Sequence, residues 1–378
     1  MSRVFIPQES QIGETRVAAV PETVKKLIDL GMSVMVEADA GRRAHITDEA
    51  YRKAGATIGD AIGWSDADLI FKVAPPTVEE ASRIKGGAVL VSFMAPHRNL
   101  DVVRRLTERN VTVLAMELIP RTTLAQTMDA LSSQASLAGY KAVVLAATRL
   151  GKYFPLLMTA AGTIPPARVV IMGAGVAGLQ AVATAKRLGA VVEVSDIRQA
   201  VKEQIESLGG RFIELPMQET GEGAGGYARE MGEDFLRKQR EIVSNHVAHA
   251  DVVITTAQVP GKKAPVLLTR DMVQRMRPGA VVIDMAVESG GNCELSKLDE
   301  EIVTENGVNI IGIANLAATA PSDASLLYSR NILSLVSYLQ KEGELRFDME
   351  DEIADGTVLT RGGVVHHGPT AELMKGAN

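Results

Sequence analysis

Val169-Val-Ile-Met-Gly-Ala-Gly-Val-Ala-Gly178, followed by Val191-Val-Glu-Val-Ser-Asp196, is the stretch on which the reading of this 378-residue chain turns. It opens as a short apolar run, the pattern of a buried strand, and reaches G-x-G-x-x-G at Gly173, Gly175 and Gly178. Helical periodicity follows to Leu188. A second apolar strand then ends in a carboxylate, Asp196, 18 residues after Gly178. Each part answers a demand of a dinucleotide. Gly173 permits the tight turn, Gly175 lets the backbone approach a pyrophosphate, and Gly178 allows close packing of helix on sheet. The helix start, with Val176 and Ala177, offers unpaired N–H groups to phosphates. Asp196 can take the two hydroxyls of the adenosine ribose and would repel a 2′-phosphate, so the expected cofactor is NAD(H). Ile197 and Arg198 complete this candidate cofactor-binding set. Arg198 is a cation that a 2′-phosphate could use, but pairing with a neighbouring carboxylate is the expectation.

The length suits two or three domains with proper cores. Charged residues at 23% and hydrophobic residues at 46% suit a soluble α/β protein. The net charge of −6 and the lack of a basic block argue against nucleic acid as a partner. A single cysteine, Cys293, excludes an internal disulfide and fits a reducing compartment; it reads as a passive thiol. No apolar run approaches the ~18 residues of a membrane span, and the N-terminus lacks a signal-peptide pattern.

Strand and helix signals alternate over the first 118 residues, with strands expected at 4–6, 33–37, 69–73, 88–92 and 111–115. A second set is expected at 168–172, 191–195, 211–213, 252–256, 280–284 and 308–313. The fold class is therefore α/β, with two Rossmann-like, doubly wound parallel-sheet domains joined by long helices. The helices are expected over Ala125–Leu150 and Asp323–Gln340. The first domain is discontinuous, residues 1–139 plus 319–378, and the second is 140–318. Thr357–Arg361 and Val364-Val365 suggest a small hairpin. The glycine-rich segment Pro216 to Gly232 interrupts the second domain. It reads equally well as a surface insertion or as a lid carrying Tyr227 and Met231 over the cofactor.

Chemistry outside the glycine loop is sparse. His246 and His249 lack the further ligands a metal needs, as do His366 and His367, so no metal is expected. Pro120-Arg-Thr-Thr-Leu-Ala-Gln-Thr-Met-Asp-Ala-Leu-Ser132 follows the last strand of the first set, at the sheet's carboxyl end, where open α/β sheets bind ligands. Arg121, Gln126, Asp129 and Ser132 offer a cation, an amide, a carboxylate and a hydroxyl. A capped helix start with an Arg121–Asp129 ion pair accounts for the same residues slightly better on spacing alone.

These segments together resemble the NAD(H)-binding component of proton-translocating nicotinamide nucleotide transhydrogenases, over nearly the whole chain. The similarity is carried by Pro120 to Asp129, Leu131 to Tyr140, Met158 to Thr163, Gly173 to Gln180, Gly225 to Met231 and Ile283 to Cys293. The resemblance implies that Arg121, Gln126 and Asp129 hold the nicotinamide and its ribose as the catalytic loop. It also implies that Ser132 contacts the nicotinamide and that Tyr227 and Met231 close over it. It implies a homodimer, an NADP(H)-binding partner domain and a transmembrane component, so that this cytoplasmic chain is held peripherally at the inner membrane by its partners. Hydride transfer between two nicotinamides needs no general acid or base, in keeping with the missing catalytic dyad.

Alanine dehydrogenase is the close alternative. Gly13-Glu-Thr-Arg16-Val-Ala and Phe71-Lys72-Val73 are similar in both, and in that enzyme the matching arginine and lysine hold the substrate carboxylate. Its proton-handling histidine falls at Phe93 here, its acidic partner at Glu288, and His97 lies beyond the strand. Arg16 and Lys72 then read as inherited structure in a buried ion network. A non-catalytic NAD-sensing module is the third reading.

Overall fold

The computed structural model describes residues 2–215, 233–258, 261–341 and 344–376. It divides into two compact units, residues 1–134 with 318–378, and residues 135–317. In chain order the first unit begins with strands β1 (Arg3–Ile6), β2 (Ser33–Glu37), β3 (Thr57–Gly59), β4 (Leu69–Phe71), β5 (Val89–Ser92) and β6 (Thr112–Ala115). The second unit holds β7 (Leu157–Thr159), β8 (Gly162–Ile164), β9 (Arg168–Met172), β10 (Val191–Ser195) and β11 (Arg211–Phe212). Its remaining strands are β12 (Val252–Thr255), β13 (Val281–Asp284), β14 (Glu300–Val303) and β15 (Asn309–Gly312). The returning chain adds β16 (Gln340–Lys341), β17 (Glu344–Leu345), β18 (Val358–Arg361) and β19 (Val364–Val365) to the first unit.

Both main sheets share one plan. The first runs β19-β18-β6-β5-β4-β1-β2-β3 and the second β11-β10-β9-β12-β13-β15-β14. Read from β3 or from β11, the parallel strands follow the 3-2-1-4-5-6 order of a doubly wound fold, so each sheet reverses direction beside its first strand. These switch points lie between β1 and β4, and between β9 and β12. The strands buried on both faces are near-continuous apolar runs, such as Val252 to Ile254 and Val281 to Ile283, each no more than 1% exposed.

Two strands escape the sequence pattern. β3 is three residues long, too short for a period to register, and the glutamates of β14 mask an antiparallel edge strand paired with β15. The expected C-terminal hairpin is present as β18 and β19, and β18 lies antiparallel beside β6. The first long helix starts later than its apolar pattern suggests. Gln126–Met128 form a single 3₁₀ turn, Asp129 leaves helical geometry at ψ 88°, and the helix proper is Ala130–Arg149. Asp129 accepts the Ser132 N–H at 2.8 Å, which satisfies one of the free donors of the first helical turn. Gln126 and Asp129 therefore do not share an α-helical face. The second long helix, Pro321–Leu339, opens with a proline at a position where its missing N–H costs nothing.

At the switch point of the first sheet the core is ionic. Lys72, wholly buried just after β4, lies 3.2 Å from Glu9 and 3.7 Å from Glu80, and its ammonium sits 5.6 Å from the Trp64 ring centre. Glu9 in turn accepts the Val73 N–H at 2.6 Å. Arg16 grips Glu14 with two nitrogens, at 2.8 and 2.6 Å, and donates to Gln134 at 2.9 Å. Burial raises the Glu9 pKa above the usual carboxylate range, while Lys72 pulls it back. Removing one member of a buried pair strands the other. Lys72→Ala should therefore lower stability to urea by about 3 kcal/mol. Without Lys72 the folded Glu9 pKa rises further, so the penalty is absent below the unfolded carboxylate pKa of 4.5 and grows as pH climbs through the folded value. A deficit in urea melts that is flat across this range would contradict the pairing.

Candidate functional site

The second unit's site grows from the end of β9. Gly173 has φ +105°, and a Cβ there would lie 2.5 Å from the Thr256 hydroxyl, so glycine is required twice over. A Cβ on Gly178 would overlap the Gly173 carbonyl oxygen. Gly175 is different. It caps the helix Val176–Arg187 at φ −73°, ψ −169°, which any residue adopts, and a Cβ built there meets nothing within 4 Å. Two glycines thus answer to the protein's own packing. The middle one keeps an open space at the helix N-terminus, which is what close approach of a pyrophosphate needs. Val176 is exposed at that helix start, and Ala177 is fixed from behind, since a Cβ on Gly139 would overlap its carbonyl oxygen.

Asp196 closes the same site from β10. Buried at 6% exposure, it accepts the Ala174 N–H at 2.7 Å and the Arg198 backbone N–H at 2.8 Å. The Arg198 guanidinium also donates to it, from Nε at 3.0 Å and Nη2 at 2.9 Å. Arg198 does pair with a neighbouring carboxylate, and that carboxylate is Asp196 itself. Ile197, half-buried between them, packs against the apolar cluster around Val170 and Met172.

The opposite wall comes from β12 and β13, which the sequence reading left without a role. The Thr256 hydroxyl donates to the Gly173 carbonyl at 3.0 Å. Asn292 clamps the next residue, accepting the Ala257 N–H at 3.0 Å and donating to the Ala257 and Pro265 carbonyls at 2.9 and 2.8 Å. Asn292 is held in turn by Asp284, a fully buried carboxylate at the end of β13. Asp284 accepts the backbone N–H groups of Ala286, Asn292 and Cys293 and the hydroxyls of Thr255 and Ser296. An aspartate placed directly after the apolar run Val281-Val-Ile283 is the signal that marks this brace.

The first unit holds the other sequence candidates on the loop after β6. Gln126 and Arg121 are exposed, Asp129 is half-buried, and Ser132 donates its hydroxyl to Asp129 at 2.5 Å. Asp129 and Ser132 thus form one rigid hydrogen-bonded pair at a helix start, with Gln126 one turn before it. Tyr227 and Met231 lie outside the described residues. His246 turns towards Glu193, 3.1 Å away, and His249 bonds the Asn245 carbonyl at 2.8 Å. Phe93 packs on Tyr328, ring centres 5.1 Å apart.

Comparison with known proteins matches residues 5–138 to the N-terminal domain model of alanine dehydrogenase/PNT and residues 142–368 to its C-terminal domain model. The chain belongs to the alanine dehydrogenase/PNT family. Within the family it is 50% identical to the first of the chains that make up NAD(P) transhydrogenase subunit alpha in Rhodospirillum rubrum, over 97% of this chain and 98% of that protein. A solved transhydrogenase from Sinorhizobium meliloti shares 43% identity with a TM-score of 0.85, over 97% and 99% of the two chains. Alanine dehydrogenase of Bacillus subtilis is more distant, 27% identical over 95% of this chain and 90% of that protein. The family and its relatives mark the chain as an NAD(P)-linked oxidoreductase of the transhydrogenase branch. Among the described residues no helix is long and apolar enough to cross a membrane.

Cys293 offers a test of the brace behind the site. It is 3% exposed beside Asp284, and burial raises its thiol pKa to about 11. The native protein should react with a thiol reagent at mildly alkaline pH far more slowly than the urea-unfolded chain. Fast stoichiometric labelling of the native chain would show the brace to be open.

Proposed function

We propose that this chain is the NAD(H)-binding component of a proton-translocating transhydrogenase, passing hydride between NADH and an NADP+ held on a separate partner domain. The observation that carries the reading is Gly175, whose missing Cβ serves no packing or backbone need of the protein. The residues fit a dinucleotide. The open Gly173-to-Gly178 turn with Val176 and Ala177 would receive the pyrophosphate, and Asp196, Ile197 and Arg198 the adenosine end. Arg121, Gln126 and Asp129 would hold the nicotinamide and its ribose, with Ser132 against the nicotinamide and Tyr227 and Met231 above it. NAD(H), when bound, supplies or accepts the hydride. What the chain contributes is placement: Asp129 and Ser132 fix each other, and Gln126 is carried on the rigid turn before them.

The same proposal includes a homodimer and attachment to the cytoplasmic side of the inner membrane through a transmembrane partner that carries the proton. The β7–β8 hairpin presents Leu156 and Met158, 54% and 79% exposed, as apolar surface suited to a protein contact. Alanine dehydrogenase chemistry is not favoured. Phe93 has no exchangeable proton and is packed on Tyr328, and the Lys72 ammonium is enclosed by Glu9 and Glu80.

The deciding experiment compares two glycine variants. Gly175→Ala should melt like the parent yet bind NADH roughly tenfold or more weakly, because the methyl group fills the approach path. Gly178→Ala should instead lower the melting temperature, because its methyl group meets the Gly173 carbonyl. Unchanged NADH affinity in Gly175→Ala would refute the pyrophosphate site. At the other end, Gln126→Ala should retain most NADH affinity and slow single-turnover hydride transfer to a partner's NADP+ by roughly a hundredfold. Transfer at the parental rate would make the Gln126 turn merely structural.

A further inference from the structure

Asp196 uses its whole accepting capacity within the protein. A carboxylate has about four lone-pair sites. They are met by the Ala174 N–H, the Arg198 N–H and two guanidinium nitrogens of Arg198. The two backbone donors belong to the turn and to the end of β10, so they stay. The guanidinium is the part that can yield. It is the outer partner, with a side chain 16% exposed against 5% for Asp196.

We propose that Asp196 and Arg198 act as one selector for the adenosine end of the nucleotide. Arg198 is the cation that would bind a 2′-phosphate, and Asp196 keeps it from doing so. This rests on the dinucleotide reading above and refines it. A ribose with free 2′ and 3′ hydroxyls competes with the guanidinium for the outer lone pairs of Asp196 and, being neutral, is not repelled. A 2′-phosphate meets two obstacles together. It faces a carboxylate of like charge, and the one cation at hand is neutralised by a two-nitrogen ion pair. Discrimination therefore resides in the pair and not in the aspartate alone. Replacing the carboxylate removes the repulsion and also releases, two residues further along the same strand end, a planar donor fork suited to phosphate. A single substitution at Asp196 should thus redirect the site towards 2′-phosphorylated nucleotides instead of merely weakening it.

The test is calorimetric titration of the full chain with ADP and with 2′,5′-ADP, which report on the adenosine end alone, and with NADH. The parent should bind NADH and ADP and disfavour 2′,5′-ADP. Asp196→Asn keeps an acceptor for the Ala174 N–H and should gain roughly tenfold or more in 2′,5′-ADP affinity. Asp196→Ser serves if the asparagine variant melts early. The double variant Asp196→Asn/Arg198→Met should surrender that gain. Arg198→Met alone leaves the aspartate in place, and its preference for ADP over 2′,5′-ADP should rise above the parent's. The selector is overturned if the double variant keeps the gain, if the folded Asp196 variants show none, or if Arg198→Met leaves the preference unchanged. A parent that binds neither NADH nor ADP would instead overturn the dinucleotide reading, so the two failures are distinguishable.

Discussion

The Ala174 N–H points at the Asp196 carboxylate from 2.7 Å, and this contact ties the glycine turn to the end of the neighbouring strand. From the other side, Thr256 donates to the Gly173 carbonyl at 3.0 Å. A turn between a strand and a helix has few contacts of its own, and here it is pinned from both flanking strands at the point where the sheet changes direction. The helix Val176–Arg187 then starts in one orientation, and its free N–H groups face a fixed place. Behind this first layer stands the chain Ala257, Asn292 and Asp284, in which every polar group is buried and answered. Such networks are stiff because each unmet group would carry a desolvation penalty.

One sheet plan thus yields two chemically different switch points. In the second unit the carboxyl ends of β9 and β12 leave open space above a glycine. In the first unit the carboxyl ends of β1 and β4 are filled by Lys72 and Glu9, held by the backbone of Val73 and Ala74. Topology creates the opportunity for a ligand site, and the side chains at the strand ends decide whether it is taken. This separates the fold, which the chain shares with alanine dehydrogenase, from the use made of each half.

How much of this could be read from the chain follows from the range of each interaction. The glycine turn, Asp196 and the alternating strands are local patterns of a few residues, so periodicity and spacing expose them. β14 is invisible because Glu300 and Glu301 contradict an apolar strand, and only its partner β15 makes it one. The late start of the helix Ala130–Arg149 depends on one carboxylate turning back to Ser132, a rotamer choice that apolar spacing does not encode. Asn292 and Asp284 are missed because their partners lie 8 to 35 positions away. Arg198 is the intermediate case. Its charge is plain in the sequence, but which carboxylate it takes is settled only by the curvature of the chain after β10. The segment expected to act as a lid, with Tyr227 and Met231, falls outside the described residues.

The edges of the two sheets bear on how such a chain survives its own folding. Parallel sheets assemble from distant segments and form slowly, and an unpaired strand edge meanwhile offers a row of hydrogen-bonding groups to any other chain. Here the outermost strands are poor templates. β3 has three residues, β11 and β19 have two each, and β14 carries adjacent glutamates on an antiparallel edge. Glu301 is further engaged by Arg149 and Asn309. A second molecule aligning against these rims would find too few pairing groups or too much negative charge to extend the sheet. The strand that was hardest to recognise therefore doubles as a barrier to aggregation.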